Sequence, residues 1–456
     1  MAIDAEHGKY SKFYKKWKRI DDVLDMDDVD DYLVELNPLD ISAENKKRNE
    51  QYQERAVFYG LAGQTCAGMV GTLFRKEPAL NVDTALKYVG VNIDGAGTSI
   101  YQQAQQAARH VVGKSRCGLL VAYPPVDTAL SMADVQSGNY NATVTLYNPK
   151  NIINWAVTAK GSNVYLNLVV LREVEVTHED YAVKEMDILR ELFIDEDGIY
   201  KERKWVKVSD KWVAGDTIIP RKANGQVWNE IPFTFIGAVN NDWNVDVPAM
   251  LPLVDLNIAH YRNSADYEDS VWYCGQAQAW MSGITEDHVK FMKDKKQYIG
   301  SRELLGVPSG EQFGFAAAPA NPAVRQAMLD KVDMMVGLGA RMLTVGGVAK
   351  TAAQTDSERE VQHSPLSLMG QNISDAYTKA LSWMAEYMGA TVANNTFEIN
   401  TDFAKASGTP AEIKEMIAGF IAGAVPTLDY VLYMQRNGYF QEDVPAKDYA
   451  DQLGQR

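Results

Sequence analysis

The amino-acid sequence predicts an α+β fold, and three observations carry that prediction. Residues 142–236 hold a series of short runs rich in Val, Ile, Tyr and Trp, separated by turn residues, as strands require. On both sides of that region apolar residues recur at three- and four-residue steps, as helices require. The chain has 456 residues, 46% of them hydrophobic and 23% charged, which is long enough for two or more packed units and too apolar for disorder.

At the start of the chain, Lys9, Lys12, Lys15, Lys16, Lys18 and Arg19 interleave with Tyr10, Phe13, Tyr14 and Trp17. Asp21, Asp22, Asp25, Asp27, Asp28, Asp30 and Asp31 follow. Such a segment is read as a mobile arm that docks on an acidic patch of a neighbouring copy, because the adjoining aspartates repel phosphates. Contact with nucleic acid or a membrane surface is the other reading. No apolar core of a secretory signal follows the first basic residues.

From Glu44 to Lys76 the pattern predicts one long helix ending before Pro78. Within it, Val57 to Phe74 is 18 residues without a charge, the lower limit for a bilayer span. Gln64, Thr65, Thr72 and four glycines favour a buried helix with close neighbours instead. A second helix, Thr98 to Val112, follows Gly95-x-Gly97, and Cys117 to Tyr123 reads as a buried strand closed by Pro124-Pro125. In the β-rich part, Asp197-Gly198 is the clearest hairpin signal, and the alternation in Lys204 to Val208 predicts a sheet with one wet face.

The period changes after residue 236. Pro252 to Tyr273 predicts a helix, with Pro252 in its first turn. Asn321-Pro322 opens another, about 30 Å long at 1.5 Å per residue. It carries an apolar stripe of Val324, Met328, Val332, Met335, Leu338 and Met342. Residues 274–321 between the two helices have strand and turn character. Gly346-Gly347 and a polar run to Ser364 form a candidate mobile loop. A helix over Ser364 to Tyr387, a strand over 397–403, and short helices from Thr409, one opened by Pro426, complete the chain.

A catalytic constellation is missing from the pattern. Lys350-Thr351 follows Ala349, where a phosphate loop places glycine. Asp195-Glu196-Asp197-Gly198 lacks the remaining calcium-loop ligands. The six histidines form no His-x-x-x-His pair, and the three cysteines are far apart, which fits a reducing cytosol and implies neither metal nor disulfide. There is no G-x-S-x-G elbow. No cofactor is implied, and the expectation is a non-enzyme. The net charge of −15 argues against a surface that holds DNA tightly.

The segments RAVFYGLAGQTCAGMVGTLFRKEP (55–78), SRCGLLVAYPP (115–125), YNPKNIINW (147–155) and LREVEV (171–176) continue with IPFTFIGAVNND (231–242) and LPLVDLNIAHYRNSADYEDSVWYCGQ (251–276). MVGLGARML (335–343) and INTDF (399–403) follow. In this order they resemble the portal proteins of tailed bacteriophages across nearly the whole chain. The resemblance implies a dodecameric ring at one capsid vertex of a virion, assembled in the host cytoplasm, through which double-stranded DNA is packaged and ejected. It implies a wing formed by residues 1–250, with 1–43 as N-terminal arm, and by a return at 364–403. Stem helices would lie at 251–273 and 322–343 around a clip at 274–321, with a tunnel loop at 344–363 and a crown at 404–456. Terminase, a head-tail adaptor and major capsid or scaffolding protein are the implied partners; no membrane is involved.

Under that resemblance Lys331, Arg341 and Lys350 are candidates for reversible DNA contacts in the channel, or else pair with acids of neighbouring subunits. The stripe from Val324 to Met342 is the candidate subunit interface. Another phage head or connector protein, and a carboxylate-dependent hydrolase with convergent acids, are the competing readings.

Overall fold

The computed structural model describes residues 2–124, 140–179, 181–275, 278–283, 285–287, 289–290, 312–316, 322–343, 364–401, 410–421, 424–436, 445–447 and 449–450. Helix α1, Gly8–Asp25, is where the structure departs first from the sequence expectation. Tyr10, Phe13, Trp17, Ile20 and Leu24 recur every three or four residues, so they share one face, and all are buried. Trp17 is fully buried and donates its indole N–H to the Lys114 carbonyl at 3.2 Å. The Tyr10 hydroxyl donates to the Lys150 carbonyl at 2.9 Å. The segment expected as a mobile arm is thus an ordered core helix. Its alternation of lysines and aromatics is the two faces of one amphipathic helix.

The helix expected over Glu44 to Lys76 is two helices, α2 (Ala43–Arg55) and α3 (Leu61–Leu73), broken at residues 56–60. Ser42 caps α2, its hydroxyl accepting from Asn45 N–H at 3.2 Å. Helix α3 presses on the end of α1: a Cβ at Gly63 would lie 2.8 Å from the Leu24 carbonyl oxygen, so only glycine fits. Among the described residues no helix is long and apolar enough to cross a membrane.

A three-stranded antiparallel sheet lies at the centre, with β2 (Arg116–Ala122) between β3 (Thr143–Tyr147) and β9 (Phe233–Gly237). Strand β2 is buried almost throughout, as its apolar run predicts. Gly118 in β2 faces the Phe233 ring so closely that a Cβ would sit 2.4 Å from it. Helix α4 (Ile100–Lys114) begins with a capping box between Ser99 and Gln102 and packs on this sheet, as does the long helix α7 (Pro365–Met388). A short strand, β1 (Ala79–Asn81), pairs with β12 (Thr396–Glu398) beside α7, so the strand expected over 397–403 is shorter; residues 402–403 lie outside the described residues.

The β-rich region continues as a five-stranded antiparallel meander, β4 (Ile152–Lys160), β5 (Asn163–Glu179), β6 (Ala182–Ile194), β7 (Tyr200–Val208) and β8 (Lys211–Ile218). Asp197-Gly198 does form the β6–β7 turn: Gly198 has φ +79° and donates its N–H to the Asp195 carbonyl at 3.0 Å. At Lys204 to Val208, where one wet face is expected, Lys204, Lys207 and Val208 are exposed and Trp205 and Val206 half-buried. Near the core both faces are covered, since consecutive Val169, Val170 and Leu171 are all buried. Further out the sheet stands clear of the body, and Val174, Val176, Val183, Val208 and Val213 are exposed.

The second half begins with α5 (Leu251–Gly275), followed by a strand pair β10 (Gln278–Ser282) and β11 (Gln312–Ala316) and by α6 (Pro322–Leu343). Two short helices, α8 (Pro410–Ile421) and α9 (Thr427–Arg436), come last, joined by stacking of Phe420 on Tyr430 at 4.1 Å between ring centres. The glycine-rich loop and polar run before Ser364, Lys350 included, lie outside the described residues, as does most of residues 284–311.

If α1 is core, Trp17→Ala removes a fully buried indole and costs about 3–5 kcal/mol in urea unfolding of the full chain. A mobile arm would leave the midpoint unchanged.

Candidate functional site

The feature with the greatest structural singularity is the unit formed by α5, the β10–β11 pair and α6. Helix α5 is 25 residues long, and its buried face is partly polar: Asn257, His260 and Ser264 accompany Leu253, Val254, Ile258, Tyr261 and Ala265. Those polar side chains explain the break between α2 and α3. Asn257 accepts from Ala62 N–H at 2.9 Å and donates to the Tyr59 carbonyl at 3.0 Å. Ser264 Oγ accepts from Val57 N–H at 3.1 Å and donates to the Val57 carbonyl at 2.7 Å. The broken backbone is thereby satisfied inside the protein instead of by water.

From the end of α5 the chain forms the antiparallel pair β10–β11 and returns as α6 along α5. The predicted stripe on α6 lies toward its own chain. Met335 is fully buried and Met342 nearly so, Val332 and Leu338 pack on the same core, and Val324 and Met328 are half-buried. Its partners in the protomer are α5, α3 and α7. Gly339 permits the approach to α3, since a Cβ there would lie 3.0 Å from the Thr65 methyl. The apolar side chains that α6 leaves in water are Leu329 (49% exposed), Met334 (56%) and Val336 (57%).

Of the three candidate cations, the two among the described residues are not brought together. Lys331 is half-buried against α5, with Nζ 3.4 Å from the Ala327 carbonyl. The Asn263 amide, oriented to satisfy both its polar atoms, accepts from Lys331 Nζ at 3.2 Å. Arg341 is exposed in the last turn of α6, about 15 Å further along the axis. Lys350 lies outside the described residues. His260, beside this pair, is held neutral: burial lowers its pKa, and the Lys331 charge lowers it further.

Another group of ionisable side chains lies elsewhere, around a cavity of about 260 Å³ lined by Asp21, Asp22, Asp25, Asp27, Arg109, His110, Lys114 and Lys150. Asp21 bridges buried Lys114 and Lys150, at 2.6 Å to each. Burial alone would raise the Asp21 pKa, but the two ammonium groups win and hold it below the usual carboxylate range. Burial pushes His110 down to about 3, with Lys114 adding to the effect. Among the described residues the carboxyl whose pKa is raised is Glu202 in β7, through burial with Glu173 adding to it and Arg190 opposing, and it does not line this cavity. The two features a carboxylate-dependent hydrolase needs, convergent acids in a cavity and a raised carboxyl, therefore occur in different places among the described residues. Among the described residues no group of His, Cys, Asp or Glu is arranged to hold a metal ion.

Sequence reasoning missed this ionic group, because Asp21, Lys114 and Lys150 are far apart in the chain. It also missed Arg116, buried between the Trp155 and Phe235 rings at 4.6 and 3.9 Å and donating to the Asn244 carbonyl at 2.6 Å. For α1 a signal existed: the three- and four-residue spacing of Tyr10, Phe13, Trp17 and Ile20.

Comparison with known proteins places a family match on this unit. Residues 249–388, from the start of α5 through α7, match a family described as a domain of unknown function (DUF4055). No curated protein matches the chain. Among solved structures, the chain is similar to a protein in the virion of a native gene transfer agent particle, at 9% identity and TM-score 0.37 over 79% of this chain and 86% of the other. It is similar also to a protein in the neck of an empty gene transfer agent particle, at 10% identity and TM-score 0.38 over 84% and 92%.

Two outcomes test this description. Asn257→Leu leaves the Ala62 N–H without its partner, takes one of two donors from the Tyr59 carbonyl, and costs about 1–3 kcal/mol in urea unfolding. For His110 the folded pKa lies below the unfolded one, so its contribution to stability is present above about pH 6.5 and is lost as pH falls below it. His110→Gln should flatten the acid limb of a stability–pH curve, read from chemical denaturation between pH 7 and 4.

Proposed function

We propose that this chain is the subunit of a portal ring, the channel for double-stranded DNA at one vertex of a phage capsid. One observation carries the reading: two long helices, α5 and α6, packed along each other and joined through a small strand pair, emerge from a mixed α/β body. A unit of that kind matches the stem–clip–stem order which the sequence resemblance implies. Under this reading α5 and α6 are the stem and the segment around β10–β11 is the clip. The body built from α1 to α4, the two sheets and α7 is the wing, residues 344–363 the tunnel loop and the C-terminal helices the crown. Terminase, the adaptor and the capsid or scaffolding protein are the partners, and the ring is a dodecamer.

The chemistry of the channel follows from charge. A chain of net charge −15, repeated around a ring, opposes adhesion of phosphates, and a few cations supply brief contacts. Arg341, exposed at the end of α6, suits that role better than Lys331, which is turned toward α5. Lys350 completes the set. For contacts between copies, the part of the stripe still open to a neighbour is Val324 and Met328, adjoining exposed Leu329 and Val336. Burying these removes apolar surface from water.

Negative-stain images of the purified full chain should show rings with a central hole, and compact single particles would contradict the reading. Lys350→Ala should lower the amount of DNA retained in filled heads; normal packaging and retention would remove the loop from the mechanism.

A further inference from the structure

The stretch 26–41 leaves large apolar side chains in water to an unusual degree: Met26 is 62% exposed, Val34 59%, Leu39 93% and Ile41 83%. It is nevertheless firmly held. Tyr261 donates its hydroxyl to Asp30 at 2.6 Å, and Arg262 Nε donates to the Tyr32 carbonyl at 2.8 Å. The Asn45 amide nitrogen lies within bonding distance of the Leu36, Asn37 and Asp40 carbonyls, at 3.3, 3.1 and 2.7 Å. Asn49 accepts from Leu36 N–H at 2.8 Å. A stretch fixed by side chains of α2 and α5 while presenting Leu39 and Ile41 outward is pre-organised for contact.

The charges around it indicate the occupant. Asp27, Asp31 and Glu35 are exposed in the same stretch, with no cationic partner among the described residues. The outer face of α1 carries the opposite sign. Lys12 and Lys15 are exposed with no anionic partner among the described residues, next to Lys16, whose ammonium lies over the Phe13 ring. Tyr14, 37% exposed, adds an aromatic surface on that helix. Lys12 and Lys15 on the first half of α1 cannot meet the acidic stretch after its end within one chain, because about 16 to 21 Å of rigid helix separates them from it. Two complementary faces at opposite ends of a rigid element form a head-to-tail contact, which closes into a ring when the rotation between copies is right.

We propose that the acidic–apolar face at residues 26–41 docks on the basic face of α1 of a second copy. The inference rests on the ring reading above and assigns it a specific contact. In that contact Lys12 and Lys15 meet Asp27, Asp31 and Glu35, while Leu39 and Ile41 cover apolar surface around Tyr14.

The experiment is sedimentation velocity of the full chain and of three variants, K12E/K15E, D27K/D31K and the fourfold combination. Because these side chains are exposed, the melting temperature should stay as in the parent. Each double reversal should lower the ring fraction about tenfold at fixed concentration, and the fourfold chain should recover it. Rings that survive both reversals, or that fail to recover in the fourfold chain, overturn the contact while leaving the ring reading in place. If K12E/K15E forms normal rings but loses binding to duplex DNA in a gel shift, the basic face is a nucleic-acid contact and the inference is wrong. A parent chain that sediments only as monomer overturns both.

Discussion

The polar grip of α5 on the backbone before α3 is the constraint on which the rest of the structure depends. Asn257 and Ser264 bond the broken chain at residues 57–62, and Tyr261 and Arg262 bond the stretch at 30–32. One helix therefore fixes the ends of α2 and α3 and the acidic loop after α1. Further along, Arg48 and Arg55 meet Asp269 at 3.0 and 3.1 Å, and the Arg55 guanidinium lies over the Trp272 ring at 4.1 Å. A continuous helix held along its length by such contacts acts as a strut.

Charge is sorted in the same economical way. Among the described residues the buried cations Lys114 and Arg116 and half-buried Arg190 each meet an acid or an aromatic face: Lys114 meets Asp21, Arg190 meets Glu173 at 3.0 Å, and Arg116 sits between Trp155 and Phe235. Unpaired buried charge is thereby avoided, as folding requires. What remains outside is unevenly distributed, with acids concentrated after α1 and lysines on its first turns. A surface of that kind favours oriented association over collapse, since like faces repel and unlike faces attract.

Much of this was legible in the sequence, and the failures have physical causes. The meander, the Asp197-Gly198 turn, the buried strand β2 and the helices α5, α6 and α7 all follow from local period and turn chemistry. The α2–α3 break did not, because the groups that satisfy it belong to Asn257 and Ser264, some two hundred residues away (|i−j| of 195 and 207). Helix α1 was misread because its lysines drew attention from the spacing of Tyr10, Phe13 and Trp17. Period alone also could not say which surface the α6 stripe meets: Met335 and Met342 are buried in their own protomer, and a stripe looks the same whether its partner is the same chain or another. For the candidate site, Lys331 shows the limit of residue-type reasoning, since a cation on the predicted helix faces α5 and Asn263 and not open solvent.

The central claim is that this chain closes into a ring around a channel. Native mass spectrometry of the purified full chain tests it most directly. The account predicts a dominant closed species of twelve copies of the 50.7 kDa chain. A spectrum holding only monomers and dimers, at concentrations where the chain is folded, would contradict it.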